Sequence, residues 1–207
     1  MWLPILVGIQ TSYLLGNLNG AVCMSALMHD DVRAHGSGNA GLTNFVRNYG
    51  GGKALGVVAI DAGKAVLACL TTGWLLKPYG CYAVGAAIGG LAVMLGHTFP
   101  ALLGFRGGKG ILSGLFIALM LDWRVALLIL AVFAVIYVLT GYVSLGSVLA
   151  SAVFGTGLAV AYWGNWTAVA CSIAMGALAI FMHRGNIARL ISGTERKTNL
   201  FKKGKGE

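Results

Sequence analysis

The chain has 207 residues, of which 57% are hydrophobic and only 10% are charged, and its formal net charge is +9. Soluble domains carry about 25% charged residues, so this composition excludes an ordinary cytosolic globule, a disordered chain and a disulfide-rich secreted module. A polytopic helical membrane protein remains. Seven spans of about 20 residues would occupy about 140 residues, which leaves no room for a separate soluble domain. Any chemistry must therefore come from loops, helix ends and the tail.

The hydropathy pattern predicts an all-α integral membrane protein with seven transmembrane helices in a single domain, 1–207. The predicted spans are approximately 3–28, 54–76, 81–96, 111–121, 125–140, 147–162 and 167–182. One long bent segment is the alternative for the fifth and sixth spans. The first segment contains no Lys or Arg, unlike the positive start of a cleavable signal peptide, so we expect it to be retained as a span.

Most basic residues lie in three polar stretches, 29–53, 97–110 and 183–207, which the predicted spans place on one side of the membrane. These basic residues are Arg33, Arg47, Lys53, Arg106, Lys109, Arg184, Arg189, Arg196, Lys197, Lys202, Lys203 and Lys205. The other side holds only Lys77 and Arg124. The positive-inside rule then predicts a cytoplasmic C-terminus and an external N-terminus. Because the charges flank apolar segments, we expect anionic substrates and the bilayer as partners, and no nucleic acid.

The first stretch contains SGNAGLTNFVRNYG, residues 37–50, in which glycines alternate with hydrogen-bond donors. The donors are Ser37, Asn39, Thr43, Asn44 and Arg47, and Gly38 allows a backbone that exposes N–H groups. A helix that starts near residue 40 would place Thr43 and Arg47 on one face. These features predict an anion-binding loop, and a flexible glycine-rich turn is the alternative.

The second stretch, HTFPALLGFRGGKG, ends with three glycines and Lys109 immediately before an apolar helix. A glycine loop at a helix start presents amide donors and a positive dipole to an anion, so Gly107, Gly108, Lys109 and Gly110 predict a phosphate site. The nucleotide-binding pattern G-x-x-x-x-G-K-[ST] does not fit, and we expect no hydrolysis of nucleoside triphosphates. A basic membrane anchor, the alternative, would not require the glycines.

The third stretch, HRGNIARLISGTERK at 183–197, places His183, Asn186 and Arg189 on neighbouring turns of one predicted helix. Within the second span, Asp61 and Lys64 are separated by one helical turn, where unpaired charge is costly. They form an internal ion pair, or Lys64 faces a substrate cavity; the sequence leaves both open.

Small residues and cysteines complete the pattern of the predicted spans. The Gly85–Gly89 pair predicts close helix packing rather than a dimer interface. The four cysteines are far apart in apolar surroundings, so neither a disulfide nor a zinc site is expected. No carboxylate cluster suited to a catalytic metal occurs among the three polar stretches, and no cofactor is expected. The motif H-x-x-x-x-D of thioester-using glycerolipid acyltransferases is absent from the sequence.

Taken together and in this order, the three stretches resemble the bacterial acyl-phosphate:glycerol-3-phosphate acyltransferases over essentially the whole chain. SGNAGLTNFVR is similar to the family signature S-G-N-x-G-x-x-N-x-x-R, HTFPALLGFRGGKG to the second signature, and HRGNIARLISGTE to the third. DAGK at 61–64 is similar to a further element, D-x-x-K-G, and departs from it at Ala65. The seven-span topology with an external N-terminus is also that of this family.

The resemblance implies an enzyme of the bacterial cytoplasmic (inner) membrane whose active site faces the cytoplasm. It would transfer a fatty acyl group from acyl phosphate to the 1-hydroxyl of sn-glycerol 3-phosphate, giving lysophosphatidic acid and phosphate, and so begin phospholipid synthesis. A partner phosphate acyltransferase would supply the acyl phosphate through a transient link. The expected catalytic residues are His183, Ser37, Lys109 and Asn186. The expected substrate-binding residues are Ser37, Gly38, Asn39, Asn44, Arg47, Lys64, Gly107, Gly108, Lys109, Gly110, His183, Asn186 and Lys197.

In this scheme the loop with Lys109 binds the donor phosphate, and Ser37, Arg47, His183, Asn186 and Lys197 bind glycerol 3-phosphate. His183 is the candidate general base, and a substrate phosphate oxygen is the alternative base. Two other classes of protein compete with an enzyme. A transporter for a phosphorylated solute would suit the intramembrane charges, but the sequence shows no convincing internal repeat. A structural or lipid-scaffold protein would leave the three polar stretches unexplained.

Overall fold

A computed structural model of the chain describes residues 1–197, which fold into α-helices joined by short loops and contain no strand. The helices are α1 (Trp2–Asn17), α2 (Gly20–Ala26), α3 (Leu42–Tyr49), α4 (Ala54–Leu76), α5 (Tyr82–Thr98), α6 (Ile111–Leu121), α7 (Trp123–Thr140), α8 (Val143–Ala161), α9 (Trp166–Met182) and α10 (Arg184–Ile191). Three short 3₁₀ turns occur at Val32–Ala34, Lys77–Tyr79 and Ala101–Leu103. The predicted basic residues Lys202, Lys203 and Lys205 lie outside the described residues.

Four of these helices, α4, α5, α7 and α8, are long and apolar enough to cross a membrane. A fifth is added if α9 and α10, which meet at a bend of 54°, are counted as one broken span. The all-helical fold predicted from the sequence is therefore confirmed. The helices α1 and α6, with 16 and 11 residues, coincide with predicted spans but are short. The count of seven spans and the orientation of the termini stay predictions.

The first predicted span is broken in its C-terminal half, contrary to the expectation of one segment at 3–28. Helix α1 ends at Asn17, and Asn19 begins α2 by accepting a hydrogen bond on its side chain from the amide of Val22 at 3.1 Å. The carbonyl of Leu18 in the break is satisfied by Lys64 Nζ at 2.7 Å. Because side chains bind the freed backbone groups, the chain can leave the helix at this depth.

The division between the fifth and sixth predicted spans is real, which removes the alternative of one bent segment. Helix α7 ends at Thr140, Gly141 adopts a left-handed φ of +74°, and α8 begins at Val143. Glycine tolerates this conformation without steric penalty, so it terminates α7 sharply.

Helix α5 packs closely against α4 through Gly85 and Gly89. A Cβ atom on Gly85 would overlap with the carbonyl of Thr72, and one on Gly89 would overlap with the carbonyl of Ala68. Small residues allow such approach between membrane helices, where lipid supplies no hydrophobic drive for association. The interpretation of this pair as a helix-packing contact is confirmed.

Candidate active site

The three polar stretches meet at one end of the helix bundle. The first and second are joined because Arg33 Nη1 donates to the carbonyl of Leu103 at 3.2 Å, and because the Ala40 carbonyl lies against Gly108. The second and third are joined by a hydrogen bond from Lys109 Nζ to Asn186 Oδ1. Residues that are far apart in the sequence thus form one continuous polar surface.

Asn44 organises the first loop from inside. Its Nδ2 donates to the carbonyls of Val32 and His35, both at 3.0 Å, and its Oδ1 accepts from the amide of Ser37 at 3.0 Å. Asn44 is 2% exposed. Because both amide hydrogens are used within the loop, the structure gives Asn44 a supporting position instead of the direct contact with substrate that the sequence suggested.

The other residues predicted in the first stretch surround this support. Ser37 and Gly38 are exposed and Asn39 is half-buried; Gly38 turns the chain with a φ of +68°. Helix α3 includes the expected face with Arg47, which is exposed and close enough to Lys109 to affect its charge. Binding of substrate by these residues stays a prediction.

The glycines of the second stretch serve close packing, which corrects the expectation that their amides face a phosphate. The amide of Gly107 donates to the carbonyl of Thr98 at 3.2 Å, and that of Gly108 donates to the carbonyl of His97 at 3.1 Å. A Cβ atom on Gly107 or Gly108 would overlap with atoms of His97. Of the donors predicted for an anion at this stretch, Lys109 and the amides of the first turn of α6, which begins after Gly110, remain the candidates.

Lys109 is the first member of a chain of polar contacts that ends at an arginine. Asn186 accepts from Lys109 and donates through Nδ2 to Glu195 Oε1 at 2.7 Å, and Arg189 Nε donates to Glu195 Oε2 at 2.6 Å. The pKa of Lys109 is lowered to about 8, chiefly by burial and also by the positive charges of Arg189 and Arg47, while Glu195 opposes this shift. An amine whose charged form is poorly solvated gains strongly from a phosphate ligand.

His183 lies at the junction of α9 and α10, not within one continuous helix as the sequence suggested. It is 3% exposed, and its Nδ1 lies 2.8 Å from the carbonyl of Ala179. A carbonyl can only accept a hydrogen bond, so Nδ1 carries the proton, and Nε2 is the basic nitrogen of the neutral ring. Burial lowers the pKa of His183 to about 4, and nearby Lys109 also lowers it. The ring is therefore neutral at pH 7, as a general base must be.

Two further predicted ligands have other contacts in the structure. Lys64 is enclosed in the bundle, and its Nζ contacts Asp61 Oδ1 and the Leu18 carbonyl, both at 2.7 Å. This geometry supports the internal ion pair and corrects the placement of Lys64 in a substrate cavity. Lys197 lies over the ring of Tyr142, with Nζ 5.3 Å from the ring centroid, at the turn between α7 and α8.

Sequence reasoning gave no role to Glu195 or His97. Glu195 lies within the third stretch and bridges two of its residues, while His97 lies in the last turn of α5 and contacts Lys64. A carboxylate in an expected anion site looks unfavourable in sequence, and a histidine at a membrane interface looks structural. The only sequence feature that could have indicated a role for these two residues is their position in the stretches that carry the glycine and histidine motifs.

A small apolar cleft begins at Gly110, the residue after Lys109. Its lining includes Gly110, Ile111, Leu115, Ile129, Phe154 and Ala179, which belong to α6, α7, α8 and α9 and to the residue before α6. Ala179 also holds the His183 ring through its carbonyl. The cation, the candidate base and the apolar cleft are therefore adjacent. Together they define a membrane-embedded site suited to a ligand with an anionic head and an apolar chain.

Comparison with known proteins identifies the family. Residues 6–193 match the family model of glycerol-3-phosphate acyltransferase. A glycerol-3-phosphate acyltransferase of Thermoanaerobacter sp. (strain X514) is 40% identical over 187 residues, which are 90% of this chain and 91% of that protein. One of Synechococcus sp. (strain CC9902) is 38% identical over 196 residues, 94% of this chain and 96% of that protein.

Solved structures agree. The crystal structure of PlsY, an integral membrane glycerol 3-phosphate acyltransferase, in its glycerol 3-phosphate form matches 96% of this chain and 99% of that chain with a TM-score of 0.85 and 33% identity. The lysophosphatidic acid form matches 94% and 95% with a TM-score of 0.83 and 32% identity. The chain therefore belongs to the glycerol-3-phosphate acyltransferase family and is an acyltransferase. This confirms the resemblance and decides against the transporter and lipid-scaffold alternatives.

Proposed function

We propose that the enzyme uses acyl phosphate as its donor and transfers the fatty acyl group to the 1-hydroxyl of sn-glycerol 3-phosphate. The observation that supports this most directly is the position of Lys109, which lies between Asn186 and the start of the apolar cleft. A phosphate held by Lys109 would have its acyl chain in the cleft. The relatives bear the name glycerol-3-phosphate acyltransferase, and the two PlsY structures are named for glycerol 3-phosphate and lysophosphatidic acid, an acceptor and a product of such a transfer.

The reaction needs no covalent enzyme intermediate, since an acyl phosphate is a mixed anhydride and already activated. The 1-hydroxyl oxygen attacks the acyl carbon, the bond from that carbon to the phosphate oxygen breaks, and the phosphate leaves. Nε2 of His183 takes the hydroxyl proton, while the ammonium of Lys109 stabilises the charge on the leaving phosphate. Ser37, Arg47 and Asn186 are proposed to hold glycerol 3-phosphate. A phosphate oxygen as base is the competing scheme.

We further infer that the chain is one transmembrane acyltransferase unit of the bacterial inner membrane, with seven spans, an external N-terminus and the site on the cytoplasmic face. The basic residues of the three stretches support this orientation. An acyl phosphate partitions into the bilayer, so its supply by a phosphate acyltransferase at the same face requires only a transient link.

The donor assignment is tested with purified protein in lipid vesicles, labelled glycerol 3-phosphate, and either palmitoyl phosphate or palmitoyl-coenzyme A, without added metal. We expect labelled lysophosphatidic acid from the acyl phosphate and none from the thioester, and a lower rate with a raised KM for the acyl phosphate in Lys109→Ala. Comparable turnover of both donors would contradict the proposal.

A further inference from the structure

Asp61 and Lys64 form an ion pair inside the bundle, one turn apart in α4. Lys64 Nζ lies 2.7 Å from Asp61 Oδ1, and each side chain is 2% exposed. Removing two charges from water is expensive, and well-packed apolar residues often replace a buried pair without loss of stability. The further contacts of the pair therefore decide whether it has a role beyond packing.

The ammonium of Lys64 has three donors and three close acceptors. Besides Asp61, it donates to the carbonyl of Leu18 at 2.7 Å and contacts Nδ1 of His97 at 2.7 Å. Because an ammonium only donates, His97 Nδ1 is the acceptor. Asp61 Oδ1 in turn accepts from the amide of Gly20 at 3.1 Å. The pair thus fixes both sides of the break between α1 and α2, and the ring of His97.

The His97 ring supports the loop that carries Lys109. The amide of Gly108 donates to the carbonyl of His97, and a Cβ atom on Gly108 would overlap both with the ring and with the carbonyl of Ala40. Gly108 is therefore held between the two. Ala40 is fixed from the other side, because Asn19 in the α1–α2 break donates to its carbonyl at 3.0 Å. A series of contacts thus leads from the ion pair to Ala40 in the first stretch and to Gly108 in the second stretch. Gly108 is the residue directly before Lys109.

We propose that Lys64 is a positioning residue of the acyltransferase site, which fixes Lys109 through the His97 ring and Gly108. Lys64 touches no reacting atom in this arrangement. Its effect reaches the donor phosphate because a displaced Gly108 moves the ammonium of Lys109 away from Asn186 and from the first turn of α6. The assignment of the phosphate at Lys109 to the acyl donor rests on the proposed function. A role in helix packing alone is the competing interpretation.

The test is a double-mutant cycle, which compares one change in two backgrounds. Asp61→Asn is combined with Lys64→Met, so that no buried charge is left unpaired. This combination is introduced into the enzyme that retains Lys109 and into the Lys109→Ala variant. We expect the combination to raise KM for palmitoyl phosphate about tenfold in the enzyme that retains Lys109, and less than about twofold in the Lys109→Ala background. An equal factor in both backgrounds, or an unchanged donor KM, would overturn the proposal.

Met175→Ala is the matched control, since Met175 is fully buried in the apolar core of the same bundle and takes part in none of the hydrogen bonds described above. Loss of a buried methionine side chain leaves a cavity, so this variant should have a lower Tm with a normal donor KM. A donor KM raised as far by Met175→Ala would show that reduced stability is sufficient, and would also overturn the proposal.

Two variants of His97 test the same link if the combined variant does not fold. Asn places its amide near the position of Nδ1 and retains an acceptor for Lys64, whereas Gln reaches the position of Nε2 instead. We expect His97→Asn to retain a donor KM close to normal and His97→Gln to raise it; equal effects of the two would contradict the role of the Lys64–Nδ1 contact. Wild-type turnover tests the proposed function separately, and calorimetric binding of inorganic phosphate compares all variants without turnover.

Discussion

The ammonium of Lys109 donates to the side-chain oxygen of Asn186, and a neutral amide thus stands between this cation and the carboxylate of Glu195. A carboxylate in direct contact would neutralise Lys109 and compete with a phosphate. The amide instead orients the ammonium and leaves its charge available, while Glu195 is engaged by Arg189. This arrangement explains how an acidic residue can belong to an anion site.

The pKa of Lys109 gives a prediction for pH dependence. Burial lowers this pKa to about 8, and only the protonated form can neutralise a phosphate, so kcat/KM for the donor should fall as the pH rises through about 8. Arginine stays charged throughout this range. Lys109→Arg should therefore lack this basic limb, even if its rate is reduced. Initial rates between pH 6 and 10 provide the measurement, and a limb near pH 8 that persists in Lys109→Arg would assign it to another group.

Gly108→Ala tests the role of the second stretch as a packed loop. The new Cβ would overlap with the His97 ring and the Ala40 carbonyl, and such overpacking typically costs about 1–3 kcal/mol. We expect a lower Tm and a raised KM for the donor. Gly52→Ala is the control, because a Cβ atom there meets no atom within 4 Å. If Gly108→Ala behaves like Gly52→Ala in both measurements, the packing explanation is wrong.

The sequence predicted the helices well wherever hydropathy alone determines them. Helices α4 and α6 occupy 54–76 and 111–121, as expected from the charges and glycines at their ends. Leu18 lies in the segment GNLNG, residues 16–20, whose glycines and asparagines permit a turn but do not by themselves show that the helix ends there. The break depends on Asn19 and on a hydrogen bond from Lys64, 46 residues away. Only tertiary structure reveals such a partner.

For the site, the sequence predicted which stretches meet but not how individual groups are used. Lys109 and Asn186 were both expected, and they are in contact. The amides of Gly107 and Gly108 were expected to face a phosphate and instead hold the loop to the end of α5. A glycine-rich sequence permits both uses, and the choice depends on the backbone of His97, which hydropathy and motif spacing do not define.

The orientation in the membrane is tested at Asn48, an exposed residue of α3 in the first stretch. We expect a cysteine at this position, in a variant without the four native cysteines, to react with a membrane-impermeant thiol reagent in inverted vesicles and not in intact cells. A cysteine at Trp163, which is 75% exposed in the loop between α8 and α9, should show the opposite pattern. Labelling of Asn48→Cys in intact cells would reverse the proposed topology.

His183→Ala decides between the two candidate bases. Loss of a general base typically lowers the rate by about 10²–10⁴, so a decrease of this size in kcat/KM for glycerol 3-phosphate is expected if Nε2 of His183 takes the hydroxyl proton. If a substrate phosphate is the base, the loss should be smaller.

The pH profile and a matched variant separate loss of the base from loss of structure. Because the base works only when unprotonated, kcat/KM should fall as the pH falls through the pKa of His183, about 4. This acidic limb should vanish in His183→Ala. A limb near pH 6, where a phosphate monoester takes up its second proton, should remain in both enzymes. His183→Asn can still donate near Nδ1 to the Ala179 carbonyl but has no group at Nε2, so it should fold normally and be as inactive as His183→Ala. A folded His183→Asn enzyme with near-normal kcat/KM would eliminate His183 both as base and as ligand, and would leave the phosphate oxygen as the acceptor of the proton.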